Sequence, residues 1–390
     1  MEGLAVVRRG LFLVSAPLFF INFALPVQSK AIGASALEIG GLFSLFSLSL
    51  LLMRPVIGFG IDRFGRRVFF LSALLLYVGA YTGYSFALDI ETMYVARFFQ
   101  GLGASLLLVS VDVMTADLTD ATDRGQAMGQ NVEVQTRATF LGAFIGFGLI
   151  GAVPALAWKF SFALFAGIAC FGFIFALIKL PETKTEQMAE SGTDFEISES
   201  LKRLMGILFL MGVASALIQP IYLIYLQDGF TTDSRILSWA FLPAGIIYAL
   251  LPSKMGALAD NRGPLGFMLI GMITAGILYF AMSYAPGFWS LVVIYSTSVV
   301  GWTMIEPSRK TLIARCASSS TVARTFGTAE MAAGLGATLG PLIGGYLYDH
   351  VSHQSPFIFN GVLMLFAAGV ASVILQNSSD AKTGQTADLD

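Results

Sequence analysis

Charge is the first thing this 390-residue chain is short of, with Asp, Glu, Lys and Arg together making up 12%. Ordinary soluble domains carry about a quarter. A water-facing fold of this length needs more charge to cover its surface, which excludes a soluble enzyme. Cysteine is nearly absent. Cys170 and Cys316 lie far apart, in or beside apolar stretches, and support neither a disulfide framework nor a metal-binding spacing. Histidine is as scarce, with His350 and His353 together at one helix end. No Gly-rich phosphate loop followed by Lys and Ser/Thr occurs, so ATP is not the energy source. The net charge is −2 and no basic block stands apart from a helix end, so nothing points to a nucleic-acid partner.

What is present is apolar. Hydrophobic residues make up 56% of the chain, and Phe alone counts 33. A spanning helix takes about 20 apolar residues, so a dozen would use roughly 240 and leave short loops with one longer connector. Apolar runs broken by charged or Gly/Pro punctuation predict twelve spans. They lie near 10–31, 36–57, 68–88, 92–115, 126–151, 156–180, 203–227, 236–259, 264–285, 288–313, 327–349 and 356–376. The expected class is an all-α integral membrane protein with a six-helix half over 1–180, a hydrophilic connector over 181–202 and a second half over 203–376. Residues 377–390 read as a disordered tail. Arg8 and Arg9 before an apolar run, with the small residues Ala34-Ser35-Ala36 after it, resemble a secretory signal. The run from Leu11 to Val27 is longer than a usual signal core and more spans follow, so it is read as an uncleaved first span.

Orientation follows from Lys and Arg. With the N-terminus inside, thirteen of the 23 fall on inner segments, and three (Lys30, Lys159 and Arg235) fall on outer loops. Both termini and the connector are expected in the cytoplasm, with the chain in the cell membrane.

The chain also repeats itself. Gly58-Phe-Gly-Ile-Asp62-Arg-Phe-Gly65 recurs as Gly256-Ala-Leu-Ala-Asp260-Asn-Arg-Gly263, an offset of 198 from Gly58 to Gly256. The same offset carries Gly129 to Gly327, Gly142 to Gly340 and Gly146 to Gly344. Two homologous halves follow, an arrangement that places a substrate site between them near the midplane.

These residues resemble a known family. Arg54-Pro55-Val-Ile-Gly58-Phe-Gly-Ile-Asp62-Arg63-Phe-Gly65-Arg66-Arg67, between spans 2 and 3, is similar to the signature loop of the major facilitator superfamily. Arg97-Phe-Phe-Gln100-Gly101-Leu-Gly103 in span 4 resembles its second motif, and Leu180-Pro181-Glu182-Thr183 closes span 6 as it often does there. Gly336-Ala-Thr-Leu-Gly340-Pro341-Leu-Ile-Gly344-Gly345 in span 11 resembles the Gly-Pro motif. The resemblance implies a secondary transporter that alternates a central cavity between the two membrane faces. One departure stands out: in the family's drug and metabolite antiporters the Gly-Pro motif belongs in span 5, which here reads Gly142-Ala-Phe-Ile-Gly146-Phe-Gly148 without proline.

In the signature loop, a carboxylate at Asp62 suits the N-terminus of another helix, whose free N–H groups and dipole favour negative charge. The resemblance makes that helix span 11, so Asp62 would latch one half onto the other, with Gly65 allowing the tight turn. Arg63, Arg66 and Arg67 either pair with Asp112 or Asp117 at the inner end of span 4 or serve only the positive-inside rule. Asp112 is also expected opposite Lys310, as a gating pair near the inner mouth. Glycines at 336, 340 and 344 repeat every four residues, a spacing for close helix packing, with gating at Pro341 as a possible addition.

Ionisable groups inside spans cost roughly 2.5–3.5 kcal/mol each at mid-membrane and mark candidate sites. In span 5, Gln130, Glu133 and Arg137 share one face, and that face is expected toward the bundle interior. It is either a structural pair or a substrate and proton site. The remaining candidates are Arg97 and Gln100 in span 4, Glu306 before Pro307 in span 10, and Gln219 with Tyr222 in span 7. Arg97 is close enough to the outer end of its span to snorkel.

An integral membrane enzyme would need a His/Glu zinc site, paired mid-span carboxylates or a serine with a basic partner. A receptor would not need the duplicated loop. Transport driven by a proton gradient, with no cofactor, is the expected function of a monomer in the lipid bilayer. Its solute is expected to be a small amphipathic organic molecule, and export and import both remain open.

Overall fold

The computed structural model describes residues 2–120, 123–153, 156–183, 197–317 and 322–387. Within them, the side chains at 2, 55, 56, 58, 59, 62, 124, 125, 249, 253, 257, 260–262, 322, 323 and 375–387 lie outside the description. The expectations placed on Gly58, Asp62 and Asp260, and on most of the connector, fall on these residues.

The chain divides into two compact units, Met1–Ser191 and Gly192–Asp390. Unit 1 holds α1 (Glu2–Ser15), α2 (Leu18–Ala31), α3 (Ala36–Phe64), α4 (Arg66–Phe86), α5 (Ile90–Asp117), α6 (Arg124–Ala152) and α7 (Ala157–Lys179). Unit 2 holds α8 (Glu199–Gly229), α9 (Ser234–Leu250), α10 (Pro252–Arg262), α11 (Pro264–Met282), α12 (Phe288–Arg315), α13 (Val322–His350) and α14 (Ser355–Ala387). There is no strand among the described residues.

Fourteen helices make twelve passes, because two passes are broken. The first is α1 plus α2, interrupted at Ala16-Pro17, and the eighth is α9 plus α10, interrupted at Leu251-Pro252. Proline lacks the N–H that would continue the ladder. Prolines 26, 220, 243, 307 and 341 nevertheless ride inside continuous helices, as membrane helices allow when neighbours satisfy the freed groups. Ten stretches of the described residues are long and apolar enough to cross a membrane. The broken eighth pass and the glycine- and threonine-rich α13 fall below that threshold.

Helix ends are set locally. Ser35 accepts a bond from the Glu38 N–H at 3.1 Å while Glu38 reaches back to the Ser35 N–H at 2.8 Å, a reciprocal cap that starts α3. Past the expected end at 57, nothing breaks the ladder of α3 until Gly65, whose φ of +94° favours glycine. Ser198 caps α8, which starts at Glu199, four residues ahead of the expected start. α14 runs on through the polar residues read as a disordered tail, since no residue from Gln376 to Ala387 lacks a backbone donor.

The 198-residue offset holds for whole helices. It carries Ala36 to Ser234, Arg66 to Pro264, Ile90 to Phe288, Arg124 to Val322 and Ala157 to Ser355, each the first residue of its helix. The glycines serve packing in both units. In unit 2, Gly340 and Gly344 of α13 lie against the carbonyls of Val213 and Leu217 in α8. In unit 1, Gly142 of α6 lies against the Ala16 carbonyl and Gly146 against the Phe20 ring. A methyl group at these positions would overlap its neighbour. Van der Waals contact at close approach is what holds helices together in lipid, where burial gives no hydrophobic gain.

Candidate functional site

Arg97 of α5 is the most enclosed charge in unit 1, at 3% exposure. It sits seven residues past Ile90, about 10 Å along the helix, yet it does not snorkel outward as its position allows. α3 supplies the reason. The guanidinium lies over the rings of Phe43 (4.9 Å) and Phe46 (4.5 Å), and Nε donates to the Leu42 carbonyl at 3.3 Å. Nη1 donates to Gln100 Oε1 at 2.8 Å, an oxygen that also accepts from the Tyr84 hydroxyl at 3.0 Å. Desolvated cation–π contacts contribute about 2 kcal/mol or more, and charge-assisted hydrogen bonds about 1.5–3 kcal/mol. Together these offset the several kcal/mol that burying the ion costs. No carboxylate pairs with Arg97 among the described residues, and Gln100 Nε2 is buried without a partner. The box therefore presents a fixed positive charge and a spare N–H donor in an apolar interior. Behind it stand Tyr77, Tyr81 and Tyr84 of α4, all fully buried. Phe162 of α7 lies 5.1 Å from the Tyr84 ring.

At the other end of α5, Arg66 is buried and its Nε meets Asp117 Oδ2 at 3.0 Å. Of the two acids expected, Asp117 is the partner. Glu182 completes the turn: its carboxylate accepts the backbone N–H groups of Arg66 (2.9 Å) and Arg67 (3.2 Å), the first residues of α4. Thr183 donates to Asp117 Oδ2 at 3.3 Å. A negative group on a helix N-terminus is favoured by the free amides and the dipole. Arg67 reaches the Leu177 carbonyl at 2.7 Å, while Arg63 is exposed over its neighbour Phe64.

α6 departs from expectation. Glu133 and Arg137 do form an ion pair, but their side chains are 56% and 71% exposed, and Gln130 is exposed as well. The stripe is not enclosed by the unit's own helices. Periodicity identified one face and not what covers it. On the same helix Val132, Phe140, Leu141 and Phe144 are exposed too. Arg137 lies thirteen residues past Arg124, about 20 Å along α6 at 1.5 Å per residue, so the pair stands near mid-helix.

Unit 2 gathers its charges differently. Glu306 is bound on both oxygens by Arg309 (2.8 and 3.1 Å), and Arg309 also donates to Glu330 of α13 at 2.8 Å. Lys310, expected as the partner of Asp112, is 3.6 Å from Glu306 on its own helix. Asp112 is exposed on α5, with no ion pair among the described residues. Tyr222 is buried, stacks on Tyr295 at 3.8 Å and donates to the Ala240 carbonyl at 3.4 Å. Gln219 is half-buried one turn away. A methyl group at Gly256 would meet Pro307 at ordinary contact distance, and one at Gly263, where φ is +89°, would meet nothing within 4 Å. Cys170 and Cys316 form no disulfide, and no metal-ligand cluster exists among the described residues. His350 and His353 are exposed and stack on Tyr346 and Tyr348.

The family model described as Major Facilitator Superfamily matches residues 10–202 and 204–388. The chain belongs to the major facilitator superfamily. This superfamily member is a multi-pass membrane transporter and not an enzyme. It is 22% identical over 398 residues to Multidrug resistance protein 2 of Bacillus subtilis, covering 96% of this chain and 97% of that protein. It is 20% identical over 386 residues to the quinolone resistance protein NorA of Staphylococcus aureus, covering 97% of each. Among solved structures, the human organic anion transporter TETRAN superposes with a TM-score of 0.65 at 17% identity, over 95% of this chain and 99% of that one. A POT family transporter in complex with 5-aminolevulinic acid gives 0.77 at 12% identity, over 95% of both chains.

Several residues of the superfamily member's polar clusters escaped the sequence reading. Arg309 stands three residues after Glu306, a spacing that signals a helix-surface pair. Glu330 and Tyr84 carry no such signal, because each comes from another helix.

Proposed function

We propose that this transporter exports an amphipathic organic solute across the cell membrane in exchange for protons, as a monomer with both termini in the cytoplasm. The observation that carries this reading is the Glu133–Arg137 pair, charged, near mid-helix and largely exposed. Two charges on a lipid-facing surface would each cost roughly 2.5–3.5 kcal/mol, so this face of α6 borders water during the cycle. The exposed Phe140 and Phe144 beside the pair offer an apolar surface to the solute. Arg137 is the ion-pair partner of the Glu133 carboxylate when the two are in contact. When Arg137 turns to an anionic group of the solute, the Glu133 carboxylate is released to exchange a proton. Alternating those states couples proton uptake at one membrane face to release at the other. Arg97 adds a buried positive charge to the same unit. The full-length matches to multidrug and quinolone resistance proteins support export. A second reading, a proton-coupled importer of a metabolite, has one observation in its favour: the missing proline in Gly142–Gly148 of α6.

The test is gradient-driven transport of a quinolone and a set of amphipathic dyes in everted and right-side-out vesicles. Export predicts accumulation in everted vesicles. Glu133→Gln should abolish accumulation while sparing exchange at equal pH on both sides. Accumulation by that variant would move the proton site elsewhere, with Glu306 next in order.

A further inference from the structure

A groove of about 450 Å³ opens in unit 1 between α1, α6 and α7. Its walls are apolar, with Phe12 and Leu13 from α1 and Phe171 and Phe175 from α7. Val134 of α6 adds to them, and Arg8 and Arg9 complete the lining, one turn nearer the start of α1 than Phe12 and Leu13. α1 starts, and α7 ends, at the same membrane face. The groove therefore runs from a cationic end near that face toward an apolar end deeper in the bilayer.

The two arginines are not simply splayed into solvent. Arg8 is half-buried and pinned to α6, with Nε on Asn131 Oδ1 at 3.0 Å and Nη2 on the Ala127 carbonyl at 3.2 Å. Nη1 makes no hydrogen bond to another described residue. Arg9 is exposed, with its guanidinium 5.5 Å from the Phe175 ring centre. No carboxylate pairs with either among the described residues. Lys179, exposed one turn beyond Phe175, adds a third cation at the same end. A groove with unpaired guanidinium groups at its rim and phenylalanines along its length is complementary to a molecule with an anionic head and an aliphatic tail. Guanidinium forks match phosphate oxygens in pairs, and basic pockets between membrane helices hold anionic headgroups.

We propose that this groove binds one anionic glycerophospholipid from the leaflet on the N-terminal side. Its phosphate sits on Arg8 and Arg9, and one acyl chain lies along Phe12, Leu13, Phe171 and Phe175. At about five-fold in affinity per arginine, the pair confers roughly a 25-fold preference for anionic over zwitterionic lipid.

Native mass spectrometry of the full chain, titrated with phosphatidylglycerol or phosphatidylcholine, tests the site. The unaltered protein should retain one phosphatidylglycerol in preference to phosphatidylcholine, and Arg8→Gln with Arg9→Gln should reduce that preference to near parity. An unchanged preference in the double variant would overturn the proposal. So would full displacement of the lipid by inorganic phosphate, which would make the site a simple anion site. Should the double variant fail to fold, Phe175→Trp in the otherwise unaltered chain gives a second readout. Acyl-brominated phosphatidylglycerol should quench the new tryptophan, above the background of the four native ones, at lower mole fraction than acyl-brominated phosphatidylcholine. Equal quenching by both would show an unselective lipid-facing groove and reject the assignment.

Discussion

The two units start their helices at matching positions and fill those positions with different chemistry. Where unit 1 holds the buried cation Arg97, the 198-residue offset reaches Tyr295, stacked on Tyr222. Gln100 corresponds to Ser298, and Tyr84 to Met282. Where Glu182 and Asp117 clamp the Gly65 turn in unit 1, unit 2 has Pro264 in place of Arg66 and Arg315 in place of Asp117. The Glu306–Arg309–Glu330 cluster of unit 2 corresponds to Leu108, Val111 and Val132 of unit 1. Backbone register is thus a property of the repeat, and charge placement is a property of each half. The enclosed cation and the clamped turn belong to unit 1, and the ion cluster around Arg309 belongs to unit 2.

Exchanging the two buried positions tests this most strongly. Arg97→Tyr should abolish transport, because it removes the only charge in the box, takes the side-chain donor from the Leu42 carbonyl and leaves Gln100 Oε1 with the Tyr84 hydroxyl alone. Tyr295→Arg places a cation where no box exists and should cost roughly 2.5–3.5 kcal/mol on insertion scales. Lost expression or a lower thermal midpoint would report that cost. Near-normal transport by Arg97→Tyr would show that the box is only packing.

The two turns come next. Gly65 and Gly263 share a positive φ, so alanine strains both by about 1–3 kcal/mol. Only at Gly65 would the new methyl meet the Glu182 carboxylate, 2.5 Å from Oε2. Gly65→Ala should therefore destabilise by about 1–2 kcal/mol more than Gly263→Ala, the value of displaced charge-assisted bonds. Thermal unfolding in detergent measures the difference, and equal effects would mean that the carboxylate contributes nothing to the turn.

The smallest effect concerns the starts of α5 and α12. Asp89 caps α5 by accepting the Thr92 N–H at 2.7 Å, and that bond holds its carboxyl below the usual range. At the matching place α12 has Gly287, with no side chain to cap it. A depressed folded-state pKa gives stability that is present above the unfolded value, about 3.9, and lost as pH falls through the folded one. Asp89→Gly should lower the midpoint slightly at pH 7 and not at all once the carboxyl is protonated. Gly287→Asp should raise it slightly at pH 7, since φ of −171° at that position accepts any residue. A pH-independent effect would point away from the carboxylate.

Much of this architecture was legible in the sequence because apolar runs and glycine spacing are local signals. The offset seen in Gly58 and Gly256 proved to describe five helix starts. The breaks at Pro17 and Pro252 could be seen as prolines but not distinguished from Pro220 or Pro307, whose helices continue, because neighbours decide the outcome. Site geometry was less legible. Arg97 was marked by its motif, but its failure to snorkel depends on Phe43 and Phe46 from another helix. The Glu133–Arg137 pair followed from four-residue spacing, while its exposure depends on which helices pack beside α6.

The matched helix starts have a historical consequence. From Ala36 to Ala157 and from Ser234 to Ser355, the two halves differ by no net insertion or deletion. Their divergence across that stretch reads as replacement of side chains on an inherited framework, with the spacing of helix starts conserved. The buried cation and the ion cluster lie wholly within that stretch and differ between halves by side chains alone, whereas the clamped turn also draws Glu182 from beyond it. Those two are therefore transplantable between halves residue for residue, without resetting the phase of any helix.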